Sequence, residues 1–159
     1  MPVIELITTI AAPTELVFDL SRSLDLHVKS TARTGEHPVA GKTAGLIGPG
    51  EEVTWRARHF GVWQTLQVRI TAYERPHYFR DEMVRGTFRR MEHAHFFEPC
   101  AEGTTMRDHF CYESPLGPLG RLADALFLER YMRTLLAERN RFIKAVAESD
   151  DWRRYTERQ

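Results

Sequence analysis

Two histidines one residue apart are the part of the sequence closest to a chemical site. They are His93 and His95, in the segment RRMEHAHFFEP that spans residues 89–99. Residues two apart on a strand point to the same face, so both imidazoles would share one side of a sheet. Such a pair can bind a metal ion, transfer protons, or supply polar groups to the wall of a cavity. The side chains opposite them decide between these uses.

Two aspartates fall where strand pairing would bring them to the histidines. Asp81 lies in YFRDEMVRG, before the histidines, and Asp108 lies in TTMRDHFCYES, after them. A tight turn around Gly86 would set Asp81 opposite His93, and the loop after the histidine strand would set Asp108 opposite His93 or His95. Directly opposed side chains on adjacent strands lie close enough to interact. We therefore predict a carboxylate–imidazole–carboxylate arrangement across three strands.

This arrangement of Asp81, His93, His95 and Asp108 allows three interpretations. As acid–base groups, all four are catalytic candidates, because a neighbouring carboxylate can tune a histidine for proton transfer. As metal ligands, a carboxylate would complete the shell of the histidine pair. As a polar network, they would satisfy one another or orient the polar end of a mostly apolar ligand. We favour the polar network and expect no metal and no cofactor.

A fifth charged residue is expected to join this network from a helix. Arg139 falls on the same helical stripe as Met132 and Phe142. A buried arginine is costly without a partner. We expect Asp81, Asp108 or an anionic ligand to supply that partner.

The composition limits the classes of function. The chain has 159 residues with equal numbers of acidic and basic side chains, 22 of each. A neutral chain argues against nucleic-acid binding, which needs a strong positive field. The sequence has no apolar run of about eighteen residues and no signal-peptide pattern, so we expect a cytoplasmic protein without stable membrane insertion. Trp63 and Tyr73, on the outer face of their strand, are compatible with a homodimer contact.

The elements that position these residues can be predicted from periodicity. Residues 3–10 are typical of a strand, and two short helices follow it. A glycine-rich stretch over 35–50 predicts a long, mostly irregular connection. Five strands with regular turn spacing come next and predict a meandering antiparallel sheet; they cover 51–60, 62–74, 78–86, 89–99 and 104–114. Residues 118–147 have the apolar spacing of one long helix, and we expect the polar tail 148–159 to fray.

This order of elements resembles the START-like superfamily, also called SRPBCC, the polyketide cyclase/dehydrase and lipid-transport group. The chain is most similar to bacterial single-domain, ligand-binding members. The segments that carry the resemblance are IAAPTELVFDLSRSLDLHVKS, EEVTWRARHFG, RPHYFRDEMVRGTFRRMEHAHFFEP, TTMRDHFCYESPLGPLGRL and LLAERNRFIK. The resemblance implies an α+β helix-grip fold, in which a curved antiparallel sheet wraps around the long C-terminal helix. Residues 1–147 would form this single domain.

The resemblance also implies a cavity between the sheet and the C-terminal helix that binds a small hydrophobic or amphipathic ligand. Two alternatives stay open: a cyclase/dehydratase-type enzyme that uses the four acid–base candidates, and a protein-interaction module without a ligand. His27, Ser30 and Glu36 are weaker candidates near the cavity mouth. With strand alternation, the resemblance predicts a lining formed by Trp55, His59, Phe79, Asp81, Met83, His93, His95, Phe97, Met106, Asp108, Phe110, Tyr112, Met132, Leu136 and Arg139.

Overall fold

Seven antiparallel strands form one curved open sheet in the computed structural model, which describes residues 1–157. Their order across the sheet is β1-β7-β6-β5-β4-β3-β2, so the first strand of the chain pairs with the last. The histidine strand is β6, and its neighbours β5 and β7 carry the two aspartates. The strands are β1 Val3–Ile10, β2 His37–Gly41, β3 Glu52–His59, β4 Val62–Glu74, β5 Tyr78–Arg85, β6 Arg90–Cys100 and β7 Gly103–Glu113.

The helices lie at two places in the chain. After β1 come α1 (Thr14–Ser21) and α2 (Leu24–Ser30), and the side chain of Ser23 caps α2 by accepting a hydrogen bond from the Leu26 amide. After β7 the chain is helical from α3 (Pro118–Ala123) through a π-helical segment (Asp124–Leu128) into α4 (Glu129–Ala147). The predicted helix over 118–147 is therefore confirmed, with a π-helical insertion in its first half.

The core lies between the sheet and the helices α1 and α4. Phe18 of α1 is fully buried and packs edge-on against Phe79 and Phe97, with ring centroids 5.5 and 5.3 Å apart. Ile143 of α4 is also fully buried. Edge-to-face aromatic packing adds about 0.5–1.5 kcal/mol per pair to the burial of apolar area. These contacts hold α1 and α4 against the sheet.

The structure differs from the sequence-based expectation at two places. The glycine-rich connection contains the short edge strand β2, which the pattern did not reveal because Pro38 lies within it. Proline is tolerated in a sheet only where its missing N–H is not needed, as at an edge. The C-terminal segment was expected to fray, but up to Glu157 it is structured. It forms a 3₁₀ turn (Asp150–Trp152) and a short helix α5 (Arg153–Thr156).

The packing of this segment has a simple cause. Trp152 and Tyr155 are three residues apart, so on a helical turn they share one face, and both pack against the core. The Ser23 hydroxyl also donates a hydrogen bond to the Tyr155 carbonyl over 3.1 Å.

Candidate functional site

The buried carboxylate of Asp108 is the centre of the candidate site. Its side chain has no solvent exposure, and β7 places it directly opposite His95 of β6. The Nε2–H of His93 donates to Asp108 Oδ1 over 2.9 Å. Because a carboxylate only accepts hydrogen bonds, this nitrogen of His93 carries the hydrogen. The predicted pairing of Asp108 with the histidine strand is confirmed.

His95 lies between the two carboxylates. Its Nε2 donates to Asp81 Oδ1 over 3.1 Å, although in strand register Asp81 is directly opposite His93, as predicted. Its Nδ1 lies 2.9 Å from Asp108 Oδ1, but the direction is wrong for a hydrogen bond, so this buried nitrogen has no hydrogen-bond partner within residues 1–157. The hydrogen bonds therefore run diagonally across the three strands.

Helix α4 completes the network with two adjacent polar residues. Asn140 Nδ2 donates to Asp108 Oδ2 over 2.6 Å. Arg139 is buried, and its guanidinium donates to the Ser21 carbonyl over 3.0 Å and to Asn140 Oδ1 over 3.1 Å. Arg139 Nη1 lies 3.5 Å from Asp108 Oδ1. The prediction that an aspartate pairs with Arg139 is confirmed, with Asp108 as the partner.

Burial and the neighbouring charges set the protonation of these groups. Burial lowers the pKa of His93 to about 4, further lowered by His95 and only partly opposed by Asp108. His93 is therefore neutral near pH 7. Burial alone would raise the pKa of Asp108, but hydrogen bonding to His93 and the proximity of His95 hold that pKa well below its ordinary value. Burial alone would also raise the pKa of Asp81, but the hydrogen bond from His95 outweighs it, and the pKa of Asp81 is lowered.

A cavity of about 390 Å³ lies between the sheet and the helical segment 118–147. Asp81, His93 and Arg139 form a polar part of its wall, while most other lining side chains are apolar. A smaller cavity of about 80 Å³ reaches the same three residues from the side of α1 and α2. The polar network thus lies where both cavities meet the sheet. Both cavities are also lined by His27, Trp55 and Val68.

The larger cavity is bordered by exposed apolar side chains. Phe60, Leu116, Leu119 and Phe127 all line it, and each is 48% exposed or more. Phe60 follows β3 at the hairpin, and its ring lies 5.5 Å from that of Phe127, measured between centroids. An opening with apolar edges suits the entry of an apolar molecule.

The structure brings together eight of the fifteen predicted lining residues at the larger cavity. They are Trp55, His59, Asp81, His93, Phe110, Met132, Leu136 and Arg139. Phe79 and His95 line only the smaller cavity. Five others line neither cavity, because Phe97, Met106, Asp108 and Tyr112 are fully buried in the core and Met83 lies further along β5; they are left out of the proposed lining.

Two of the three weaker candidates lie at the larger cavity. His27 and Glu36 line it, and His27 Nε2 is 3.4 Å from Glu36 Oε2. His59 Nδ1 and the Tyr131 hydroxyl are 2.9 Å apart in the same wall. Ser30 instead donates to the carbonyl of His27 inside α2. The cavity therefore has a second polar area on its α2 side.

Sequence reasoning missed Asn140 and most of the cavity border. Asn140 was detectable, because it occupies the apolar stripe between Leu136 and Ile143 and so had to be buried with a partner. Leu116 precedes the predicted helix in a segment that the sequence marks only by its prolines and glycines, and Leu119 lies in the first turn of that helix. Neither position follows a pattern that indicates a cavity wall.

Asp81, His93 and His95 are also the cluster with metal-ligating geometry in the described part of the chain. Each offers one donor atom, and these atoms lie within 4.8 Å of one another. Within residues 1–157, no helix is long and apolar enough to cross a bilayer.

Comparison with known proteins agrees with this architecture. A family model described as polyketide cyclase / dehydrase and lipid transport matches residues 1–148. No curated protein matches the sequence. Similar solved structures include TTHA0849 from Thermus thermophilus, which is 20% identical with a TM-score of 0.71, over 92% of this chain and 99% of that chain.

Two further structures show the same fold at lower identity. The major latex-like protein 151 from Panax ginseng is 15% identical with a TM-score of 0.68, over 93% of this chain and 98% of that chain. Protein CV1439 from Chromobacterium violaceum is 14% identical with a TM-score of 0.66, over the same shares. These structures establish the helix-grip fold, and the family match establishes membership. The chain belongs to the polyketide cyclase/dehydrase and lipid-transport family of the START-like superfamily.

Proposed function

We propose that this protein binds a small hydrophobic or amphipathic molecule in the cavity between the sheet and the C-terminal helical segment. The observation that carries the proposal is the cavity of about 390 Å³, apolar over most of its wall and polar at Asp81, His93 and Arg139. Ligand pockets commonly measure about 300–1,000 Å³ and combine an apolar lining with a few polar groups that orient the ligand. The family membership supports the same function.

The polar groups favour a hydrogen-bond donor at the polar end of the ligand. His93 is neutral and its Nε2–H is engaged by Asp108, so its Nδ1 is a free acceptor. The guanidinium of Arg139 already donates to protein oxygens. Asp81 and Asp108 would repel an anionic group. A ligand hydroxyl that donates to His93 Nδ1 therefore fits this wall better than a carboxylate.

Native mass spectrometry of the protein purified from a lipid-containing host tests this proposal. We expect retained small molecules with apolar bodies and hydroxyl groups. The variant Met132→Trp should lose them, because the indole would occupy the cavity. The matched control Leu122→Trp lies on the exposed side of α3, outside the cavity lining, and should retain them. Absence of any ligand from the wild type, together with no uptake of added decanol, would contradict the proposal.

A second candidate function is acid–base catalysis of the cyclase/dehydratase type. It is favoured by one observation: His93 lines the cavity and its other nitrogen is held by a buried carboxylate. That pairing fixes the tautomer and leaves Nδ1 as the nitrogen that can accept a proton. Extracted ligands would be compared by mass before and after incubation with the protein. Conversion by the wild type that His93→Gln abolishes would favour catalysis, and unchanged ligand would favour binding alone.

A further inference from the structure

One carboxylate lies beside one nitrogen of each histidine ring. Asp108 Oδ1 lies 2.9 Å from His93 Nε2 and 2.9 Å from His95 Nδ1. The remaining nitrogens are His93 Nδ1 and His95 Nε2, and the latter is 3.1 Å from Asp81 Oδ1. Histidines that bind metals usually hold their second nitrogen against a carboxylate, which fixes the ring and makes the free nitrogen a better ligand. Asp108 is placed to do this for both rings.

The burial of the cluster gives a second, independent observation. His95 is 2% exposed, and its Nδ1 lacks a hydrogen-bond partner among the described residues despite its short contact with Asp108. An imidazole whose Nε2 bound a cation would carry its hydrogen on Nδ1, on the side of Asp108. Ion binding at Nε2 would thus turn the unpaired Nδ1 into a donor that lies 2.9 Å from Asp108 Oδ1.

The charges of the network are compatible with a cation. Asp81 and Asp108 are two carboxylates, and Arg139 is the positively charged side chain that faces them from α4. The carboxylates outnumber the guanidinium, so the buried network attracts a cation.

We propose that Asp81, His93 and His95 bind one divalent first-row transition ion, such as Zn²⁺ or Fe²⁺, with Asp108 supporting both imidazoles. The ligand atoms would be His93 Nδ1, His95 Nε2 and a carboxylate oxygen of Asp81. Two imidazoles and one carboxylate suit these ions rather than Mg²⁺ or Ca²⁺, which prefer oxygen ligands. An open coordination position would face the larger cavity, which Asp81 and His93 line. The proposal revises the expectation of no metal. It shares His93 Nδ1 with the proposed ligand function, so with an ion bound a ligand hydroxyl would meet the ion instead of this nitrogen.

Titration with Co²⁺ tests the proposal on the full chain. The protein is first treated with a chelator and then titrated while visible absorption is recorded, and bound metal is counted by elemental analysis. We expect one Co²⁺ per chain, with absorption bands of a low-coordinate site. The double variant His93→Gln/His95→Gln should bind at least about 10-fold more weakly. The control His77→Gln removes a histidine outside the cluster and should bind like the wild type.

Two results would overturn the proposal. One is the absence of saturable Co²⁺ and Zn²⁺ binding by the wild type, and the other is equal affinity in the folded double variant. If the double variant does not fold, the wild type provides the test by NMR of its imidazole nitrogens. Zn²⁺ should shift the signals of His93 and His95 and leave that of His77 in place. A shift of His77 alone, or no shift, would contradict the site.

Discussion

The substitution Asp108→Asn should strongly destabilise the protein. Asp108 is fully buried and accepts hydrogen bonds from His93 and Asn140, with Arg139 at 3.5 Å. Asparagine has almost the same shape but no charge, and one of its two side-chain ends donates. The change therefore removes the counter-charge of a buried guanidinium and turns an N–H towards another N–H.

The expected magnitude follows from these two effects. Breaking a buried ion pair by removing one partner costs about 3–5 kcal/mol. The mismatched hydrogen bond contributes about 1–3 kcal/mol and overlaps with that cost. We therefore expect the free energy of unfolding to fall by about 3–5 kcal/mol. For a domain of this size the melting temperature should drop by roughly 6–20 °C.

Urea unfolding followed by circular dichroism measures this change at neutral pH, in the presence of a chelator. The matched control is Asp151→Asn, whose side chain is 59% exposed and whose stability should change by less than about 0.5 kcal/mol. A loss of less than about 1 kcal/mol for Asp108→Asn would refute the reasoning. It would mean that the charge of Asp108 does not hold the network together.

Two further predictions concern the frame around the site. Ile143→Ala should lower the free energy of unfolding in urea by about 2–5 kcal/mol, because the Ile143 side chain is fully buried. The control Leu122→Ala, at an exposed position, should change it by less than about 0.5 kcal/mol. Equal losses in the two variants would contradict the packing. Burial alone would raise the pKa of Asp19, but hydrogen bonds from Arg75 and Arg22 hold it below its ordinary value. Because the pKa of Asp19 is lower in the folded state, its ionised carboxylate stabilises the fold at pH values above the unfolded-state pKa of about 3.9. This stabilisation is lost as the pH falls through the folded-state pKa. Asp19→Asn should therefore lower the free energy of unfolding by about 1 kcal/mol at pH 7, and this difference from the wild type should shrink below about pH 4. A difference in unfolding free energy that grows on acidification would show that the pKa of Asp19 is not lowered.

The strand pattern predicted the centre of the site because strand geometry is local. Alternation alone places His93 and His95 on one face, and the turn near Gly86 alone sets Asp81 opposite His93. Which nitrogen meets which carboxylate was not predictable. The diagonal bond from His93 to Asp108 depends on sheet twist and side-chain rotamers, which a sequence pattern does not specify.

The wall of the cavity was predicted less completely because it depends on how distant segments meet. Phe110 and Met132 line it as expected. Phe97 on β6 and Met106 on β7 follow the same alternation as Phe110 but are buried next to α1, where they contact Phe18 and Ser21. The difference lies in where the helices cross the sheet. Leu116 borders the cavity from the turn before the C-terminal helical segment and Leu119 from its first turn, and strand alternation does not assign these positions to the wall.

The five methionines of the chain allow the most direct test of the central claim, that the cavity binds an apolar molecule. Met91 and Met132 line the cavity, Met106 is buried in the core outside it, and Met1 is exposed at the terminus. The methyl groups of ¹³C-labelled methionine would be followed by NMR during titration with decanol. We predict saturable shifts of Met91 and Met132, with Met1 unchanged. Shifts confined to Met1, or no saturable shift at Met91 and Met132, would contradict the account.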